Sequence, residues 1–213
     1  MNMARLEGKI ALVTGAGTGI GRETALLLAA EGACVIVTGR RLSPLQELAA
    51  DIEKAGGRAF ARSVDIASRE AIVAAVQWIG ENVGPVDILV NNAGSASRVL
   101  NARFISEDEW NATLNVNLTA VFSLTQALLP GMIAKGAGTV ITVSSLAALN
   151  PNLLGGAAYG AAKAGVRNFM GFLHNTYRNQ GIRAMTILPG ETDTPIMNNR
   201  ARPPSEDERS LML

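Results

Sequence analysis

The chain has 213 residues, 48% of them hydrophobic and 17% charged, which suits a globular domain with a sizeable core and excludes a disordered chain. Its 19 basic and 18 acidic residues leave a net charge of +1 with no basic stripe, so neither nucleic acid nor an anionic membrane is an expected partner. The single cysteine, Cys34, excludes an internal disulfide; its apolar surroundings predict a small buried residue rather than a reactive thiol.

The first residues, MNMARLEGKIALVTG, run directly into a strand pattern with no apolar leader. No stretch approaches the roughly 20 apolar residues of a membrane helix, and a cytoplasmic protein is expected. Strand Lys9–Val13 precedes helical periodicity over Ile20–Glu31. Strand Cys34–Thr38 precedes helix Ser43–Ala55, which begins Ser-Pro, an N-cap followed by proline at the first helical position. Strand Arg58–Ser63 and helix Ser68–Val83 follow, then strand Asp87–Asn91 and the long helical segment Glu107–Lys135. Strand Thr139–Val143, helix Ala157–Gln180 and strand Arg183–Leu188 complete the alternation. Such alternation predicts one α/β domain over residues 1–213: a Rossmann-like, doubly wound parallel sheet in three layers, with strand order 3-2-1-4-5-6. From Asn198 the chain turns polar and proline-containing, so residues 195–213 are expected to be a lid or disordered. No His, Cys or carboxylate cluster has metal-ligand spacing; Met170 and His174 read as core and helix-surface residues.

Thr14–Gly21 reads TGAGTGIG, between the first strand and the first helix. Gly15 and Gly19 allow a tight turn and close approach of a pyrophosphate, and Gly21 lets the helix pack on the strand. Thr18 and Ile20 complete a helix N-terminus whose free N–H groups and dipole favour phosphate. The spacing is G-x-x-x-G-x-G rather than the commoner G-x-G-x-x-G.

This turn resembles the T-G-x-x-x-G-I-G of the short-chain dehydrogenase/reductase family. The resemblance continues, in the family's order, through Asp65, Asn91-Asn92-Ala93-Gly94, Asn117, Ser145, Tyr159-x-x-x-Lys163 and Pro189-Gly190. It covers nearly the whole chain and points to the 3-oxoacyl-reductase-like branch. It implies a nicotinamide dinucleotide cofactor and hydride transfer between it and a small carbonyl or alcohol.

At the end of the second strand stands Gly39-Arg40-Arg41, where an NAD-preferring site usually carries an acid. Arginine pairs well with a 2′-phosphate, so NADP(H) is favoured, with Arg40 as the contact, and NAD(H) is the alternative. A solvated pair of arginines is the plainer reading, and Thr18 stands where the family often has a further basic residue. Asp65, with Ile66, resembles the family's adenine-binding position, although an aspartate there also suits a helix cap. Asn91, Ala93 and Gly94 resemble the segment beneath the adenosine side.

Tyr159 and Lys163 stand four apart on one helical face. Carbonyl reduction needs a proton donor at oxygen, and a tyrosine near pKa 10 needs help to act near neutrality. The Lys163 ammonium favours the phenolate, and by resemblance it also holds the nicotinamide ribose. Ser145 offers a hydroxyl to the substrate oxygen, with Ser144 as the adjacent alternative. By resemblance, Asn117 holds a water that relays protons from the lysine. In Pro189-Gly190-Glu191-Thr192-Asp193-Thr194, Thr194 matches the threonine that meets the carboxamide, and Thr192 is the runner-up.

The family usually adds a helix and a seventh strand after the last strand read here, so a shortened sheet is expected. Specificity in the family lies in variable loops, here Ser95–Phe104 and Asn150–Gly156. A homodimer or homotetramer built on the two longest helices is expected, with Ala161 and Gly165 admitting a partner's helix. The alternative to an enzyme is a non-catalytic dinucleotide-binding redox sensor, or an inactive shortened form.

Overall fold

The computed structural model describes residues 4–151 and 155–212. The apolar runs form six strands: β1 (Ile10–Thr14), β2 (Cys34–Gly39), β3 (Arg58–Ser63), β4 (Ile88–Asn91), β5 (Gly138–Val143) and β6 (Ile182–Ile187). All pair in parallel, in the order β3-β2-β1-β4-β5-β6. The chain reverses its winding between β1 and β4, and the loops at their carboxyl ends diverge into a crevice.

Helices α1 (Gly19–Ala30) and α2 (Leu42–Lys54) cover one face. There Ala25, Leu45, Leu48 and Ile52 pack on Ala11, Val13, Val35 and Val37. The other face carries α3 (Arg69–Asn82), α5 (Ala120–Lys135) and α6 (Ala157–Tyr177). Their Ile72, Ile79, Leu124, Met132, Val166 and Met170 close over Leu12, Ile36, Leu89 and Val140. Residues buried on both faces are why β1 and β2 read as continuous apolar runs. Coverage is complete only over the first strands. Alternate residues of β6, Met185 and Ile187, stay about half exposed on the α1/α2 face.

Several local readings change. Helix α2 starts at Leu42 with Arg41 as its N-cap, so Ser43 is not the cap. Ser43 instead donates to Glu47 Oε1 at 3.0 Å, and Pro44 sits within the first turn, where an N–H has no intrahelical partner anyway. Cys34 is partly exposed rather than buried. The segment Glu107–Lys135 is one continuous helical run: α4 (Glu107–Leu114), a π-helical stretch (Asn115–Thr119), then α5. By length and composition this run does match a membrane span, contrary to expectation, but Val121, Leu124, Leu128 and Met132 are buried against the sheet.

The C-terminal part is structured. Pro195–Asn199 forms a 3-10 turn, and α7 (Glu206–Ser210) opens with a capping box between Ser205 and Glu208. Arg200 pairs with Glu191 at 3.1 Å, and Arg209 with Asp193 at 2.6 Å. In the loop Asn150–Gly156, residues 152–154 lie outside the described residues.

Candidate active site

The turn after β1 is fixed from both sides. Thr14 Oγ1 accepts from the N–H groups of Asn92 and Ala93, each at 3.0 Å. The Asn92 amide donates to the carbonyls of Thr14 and Gly15. Gly15 has φ +63°, and a Cβ there would lie 2.8 Å from Ala93 Cα. Gly19, φ +57°, faces Thr194, whose Cγ2 would be 3.1 Å from such a Cβ. A Cβ on Gly21 would overlap the Asn92 amide nitrogen. Bare backbone is therefore required at three points of one turn. Thr18 is the N-cap of α1 but makes no side-chain capping bond, so the first N–H groups of the helix face the crevice without a side-chain acceptor. Ile20 follows in its first turn. A dinucleotide pyrophosphate fits this cradle.

Around the adenosine end, Arg40 and Arg41 are exposed directly beyond β2, and neither has an ion-pair partner among the described residues. The Arg40 carbonyl accepts from Ser63 Oγ at 2.9 Å, which holds the ends of β2 and β3 together. Asp65 is exposed and accepts from Ala67 N at 3.0 Å. It turns the chain ahead of α3, whose cap is Ser68, and Ile66 follows it in that turn. Asn91 ends β4 in the segment expected beneath the adenosine side. It is buried and directed at Thr125 and Thr142, so it ties β4 to α5 and β5.

The catalytic candidates converge where β4, β5 and α6 meet. Ser144 is excluded as the oxygen donor. It is buried and donates to the Lys163 carbonyl at 2.8 Å, locking α6 to β5. Ser145 accepts from Ala147 N at 3.2 Å through its Oγ, which leaves its own hydroxyl hydrogen free to donate. It stands close enough to Tyr159 to favour the phenolate. Lys163 is buried, donates to the Val143 carbonyl at 2.9 Å, and lies 5.5 Å from the Tyr159 ring centre. Gly94 lets these groups meet: a Cβ there would be 2.8 Å from Asn117 Oδ1 and 3.5 Å from Lys163 Nζ.

Asn117 is fully buried inside the π-helical stretch. Its amide donates to the Thr113 carbonyl at 2.9 Å and to the Ser95 carbonyl at 3.0 Å, while Oδ1 accepts from Ser95 N at 3.3 Å. The side chain thus supplies a bond to a helix carbonyl four residues back and clamps the β4–α4 loop. Widened turns of this kind are frequent at functional sites.

Burial pushes the Tyr159 phenol above its ordinary range; the hydrogen bond with Ser145 and the charge of Arg200 pull it back. Burial likewise disfavours the Lys163 ammonium, which brings it down to about 8. Arg200 is the residue that sequence reasoning missed. It stands 41 positions from Tyr159, outside any motif.

Pro189, Gly190, Thr192 and Thr194 border the same crevice. The Pro189 carbonyl accepts from Leu146 N at 3.1 Å, and Gly190 lies against Leu146. Thr194 Oγ1 donates to the Thr192 carbonyl at 3.3 Å. Thr194 also lies against Gly19 of the phosphate turn.

Comparison with known proteins gives the family of the chain. The model of the short chain dehydrogenase family matches residues 9–204. A 3-oxoacyl-[acyl-carrier-protein] reductase of Vibrio harveyi is 40% identical over 200 residues, covering 92% of this chain and 80% of that protein. A cyclohexanol dehydrogenase of Acinetobacter sp. is 35% identical over 195 residues, covering 91% of this chain and 76% of that protein. A metagenomic short-chain oxidoreductase solved in complex with NADP superposes with a TM-score of 0.84 at 36% identity, covering 88% of this chain and 85% of that one. The chain belongs to the short-chain dehydrogenase family.

Proposed function

We propose that this chain is an NAD(P)-dependent oxidoreductase interconverting a carbonyl and an alcohol, with Tyr159 as the general acid and base. The observation that carries the reading is the meeting of Asn117 and Lys163 beside Gly94, with the Tyr159 ring 5.5 Å from Lys163 Nζ and Ser145 close to Tyr159, next to a glycine cradle that only bare backbone fits. When bound, the nicotinamide supplies the hydride that the carbonyl carbon takes, or accepts it in the reverse direction. Tyr159 gives its phenolic proton to the oxygen in reduction and removes it in oxidation. Ser145 donates to the same oxygen and shares the charge that develops there. Lys163 stands behind the ring as a donor to the nicotinamide ribose, and Asn117 shapes the proton path behind it.

Gly15, Thr18, Gly19 and Ile20 hold the pyrophosphate in this proposal, and Asp65 with Ile66 holds the adenine. Ala93 and Gly94 lie beneath the adenosine side. The Asn91 side chain supports this floor from below. Pro189, Gly190, Thr192 and Thr194 face the nicotinamide end. NADP(H) is the favoured cofactor and NAD(H) the alternative; Arg40, exposed past β2 with no acid beside it, supports the former. NADP is also bound by the metagenomic relative.

The substrate is a small carbonyl or alcohol, handled by a single domain spanning residues 1–213 in a cytoplasmic setting. A homodimer or homotetramer belongs to the same reading. Phe122 and Phe172 remain 41% and 57% exposed on α5 and α6, as an unpaired helix face would. Gly165 does not serve that interface, since its open side is taken by Leu118 of the same chain.

Titration with NADPH followed by a panel of aldehydes and ketones tests the proposal. Saturable binding and carbonyl-dependent NADPH oxidation are expected. Binding without turnover of any carbonyl leaves the non-catalytic reading instead.

A further inference from the structure

We propose that Arg200 reads a carboxylate on the substrate, exchanging its present partner Glu191 for it, so that this chain acts on oxo and hydroxy acids in preference to neutral carbonyls. The inference rests on the catalytic reading above for the place of the reacting oxygen.

Two arginines of the C-terminal segment are three-quarters buried, and they are used differently. Arg209 is committed to Asp193 and Asn198, which pins α7 to the preceding loop. Among the described residues, Arg200 has one side-chain partner, Glu191, through a single contact of Nη1 with Oε1 at 3.1 Å. Glu191 is itself 54% exposed, on a side chain that solvent can release, whereas Arg200 is only 25% exposed. The guanidinium is therefore held in place while its partner is replaceable. A planar guanidinium has five donors in a fixed fork and suits a carboxylate bidentately, so one contact leaves most of that capacity unused.

The position is set by packing on both sides. Arg200 caps the 3-10 turn Pro195–Asn199 and donates its N–H to the carbonyl of Met197, a buried residue. Glu191 follows Gly190, which lies against Leu146, the neighbour of Ser145. The pair thus borders the turn that carries the oxygen donor. The charge of Arg200 is also felt at the Tyr159 phenol, which it helps to hold down against burial. A carboxylate is the group that Arg200 already holds, and a substrate bearing one a few carbons from its carbonyl would take the place of Glu191. A neutral substrate has nothing to offer there.

The test uses the full chain with NADPH and three oxo acids, pyruvate, acetoacetate and levulinate, each against its ethyl ester. At least one acid is expected to exceed its ester in kcat/KM. In R200Q that acid-to-ester ratio should fall about tenfold or more, the contribution of one charge-assisted hydrogen bond. E191Q removes the competing carboxylate and should raise the ratio. Protection against thermal unfolding by the same acids, in the presence of NADP+, gives a readout that needs no turnover. Protection should be present in the wild type and lost in R200Q. Turnover of esters and acids with a ratio that R200Q leaves unmoved overturns the carboxylate site and keeps the oxidoreductase. Protection by acids that depends on Arg200, with no turnover of any carbonyl, keeps the carboxylate site and overturns the oxidoreductase. Equal melting shifts for acids in wild type and R200Q overturn the site whatever the kinetics.

Discussion

The two ends of the sheet handle buried charge in opposite ways. At the amino end, Asp87 precedes β4 and is almost fully buried, yet it is surrounded by donors. It accepts from Ile10 N at 2.9 Å and Lys135 Nζ at 2.5 Å, with Lys9 at 3.7 Å. Burial alone would push its carboxyl up; Lys135, the Ile10 N–H and Lys9 outweigh that and hold it below the ordinary range. At the carboxyl end, Lys163 is equally buried but has one backbone carbonyl and no counter-charge among the described residues. One end pairs its buried charge; the other keeps a buried ammonium without a counter-charge and a helix N-terminus without a side-chain cap. The lesson is that a doubly wound sheet places its stability and its chemistry at opposite edges. Variants at the two ends should then differ in kind.

Tyr159→Phe should have the largest effect. It should lower kcat/KM by about 10²–10⁴-fold, because no other phenolic proton is available, while NADPH still binds. Turnover within a few-fold of wild type would remove Tyr159 from the acid/base role. Asp87→Ala should do the reverse, lowering stability by about 2 kcal/mol, with the partly exposed lysines discounted for screening. The melting temperature should drop by roughly 4–8 °C with kcat unchanged. Because the folded carboxyl is depressed, this difference is full at neutral pH. It closes as pH falls through the folded value, below the ordinary carboxylate range near about 4. A pH-independent gap would mean that Asp87 acts by packing alone.

Arg40→Asp comes next. It should lower the NADPH-to-NADH ratio of kcat/KM by about tenfold or more, through loss of a charge-assisted pair and repulsion of the 2′-phosphate. An unmoved ratio would make Arg40 a solvated surface charge, the plainer reading of Gly39-Arg40-Arg41.

Most of the fold behind this contrast was legible in the amino-acid sequence, for a physical reason. Strands buried on both faces write continuous apolar runs, so β2 and β3 were placed to within a residue and the strand order followed from crossover handedness. Gly15 meets the Ala93 backbone, and both Gly15 and Gly19 need a positive φ that other residues rarely adopt, so the glycine turn stood out. What escaped depends on single side-chain bonds or on distant segments. The π-helical stretch is one extra residue in a turn, supported by the Asn117 amide, and apolar periodicity does not register it. The cap of α2 moved because Ser43 bonds Glu47 rather than the backbone. The open side of Gly165 is filled by Leu118, 47 positions away. Arg200 reaches the site through a loop with no motif, and Asp87 was read only as the start of a strand.

The smallest expected shift in melting temperature bears most directly on the comparison of the two ends. Lys163→Met should abolish carbonyl reduction yet raise the melting temperature of the cofactor-free chain near neutral pH. The folded lysine titrates at about 8, below the ordinary 10.5, because burial disfavours its charge. Below 8 it is protonated in both folded and unfolded states, and the folded state carries the full cost of the buried ammonium. Between those two values the unfolded chain binds more protons than the folded one, so wild-type stability rises with pH. Methionine has similar length, no charge and no desolvation to overcome. Against this, the Val143 carbonyl loses its donor, a loss of about 1 kcal/mol. The net gain should be a rise of roughly 2–4 °C at pH 7, shrinking steadily as pH increases through 8. Melting curves of both proteins across that range decide it. A variant that melts below wild type at pH 7, or a gap that does not change with pH, would show that Lys163 is as well compensated as Asp87 and that the two ends do not differ in this respect.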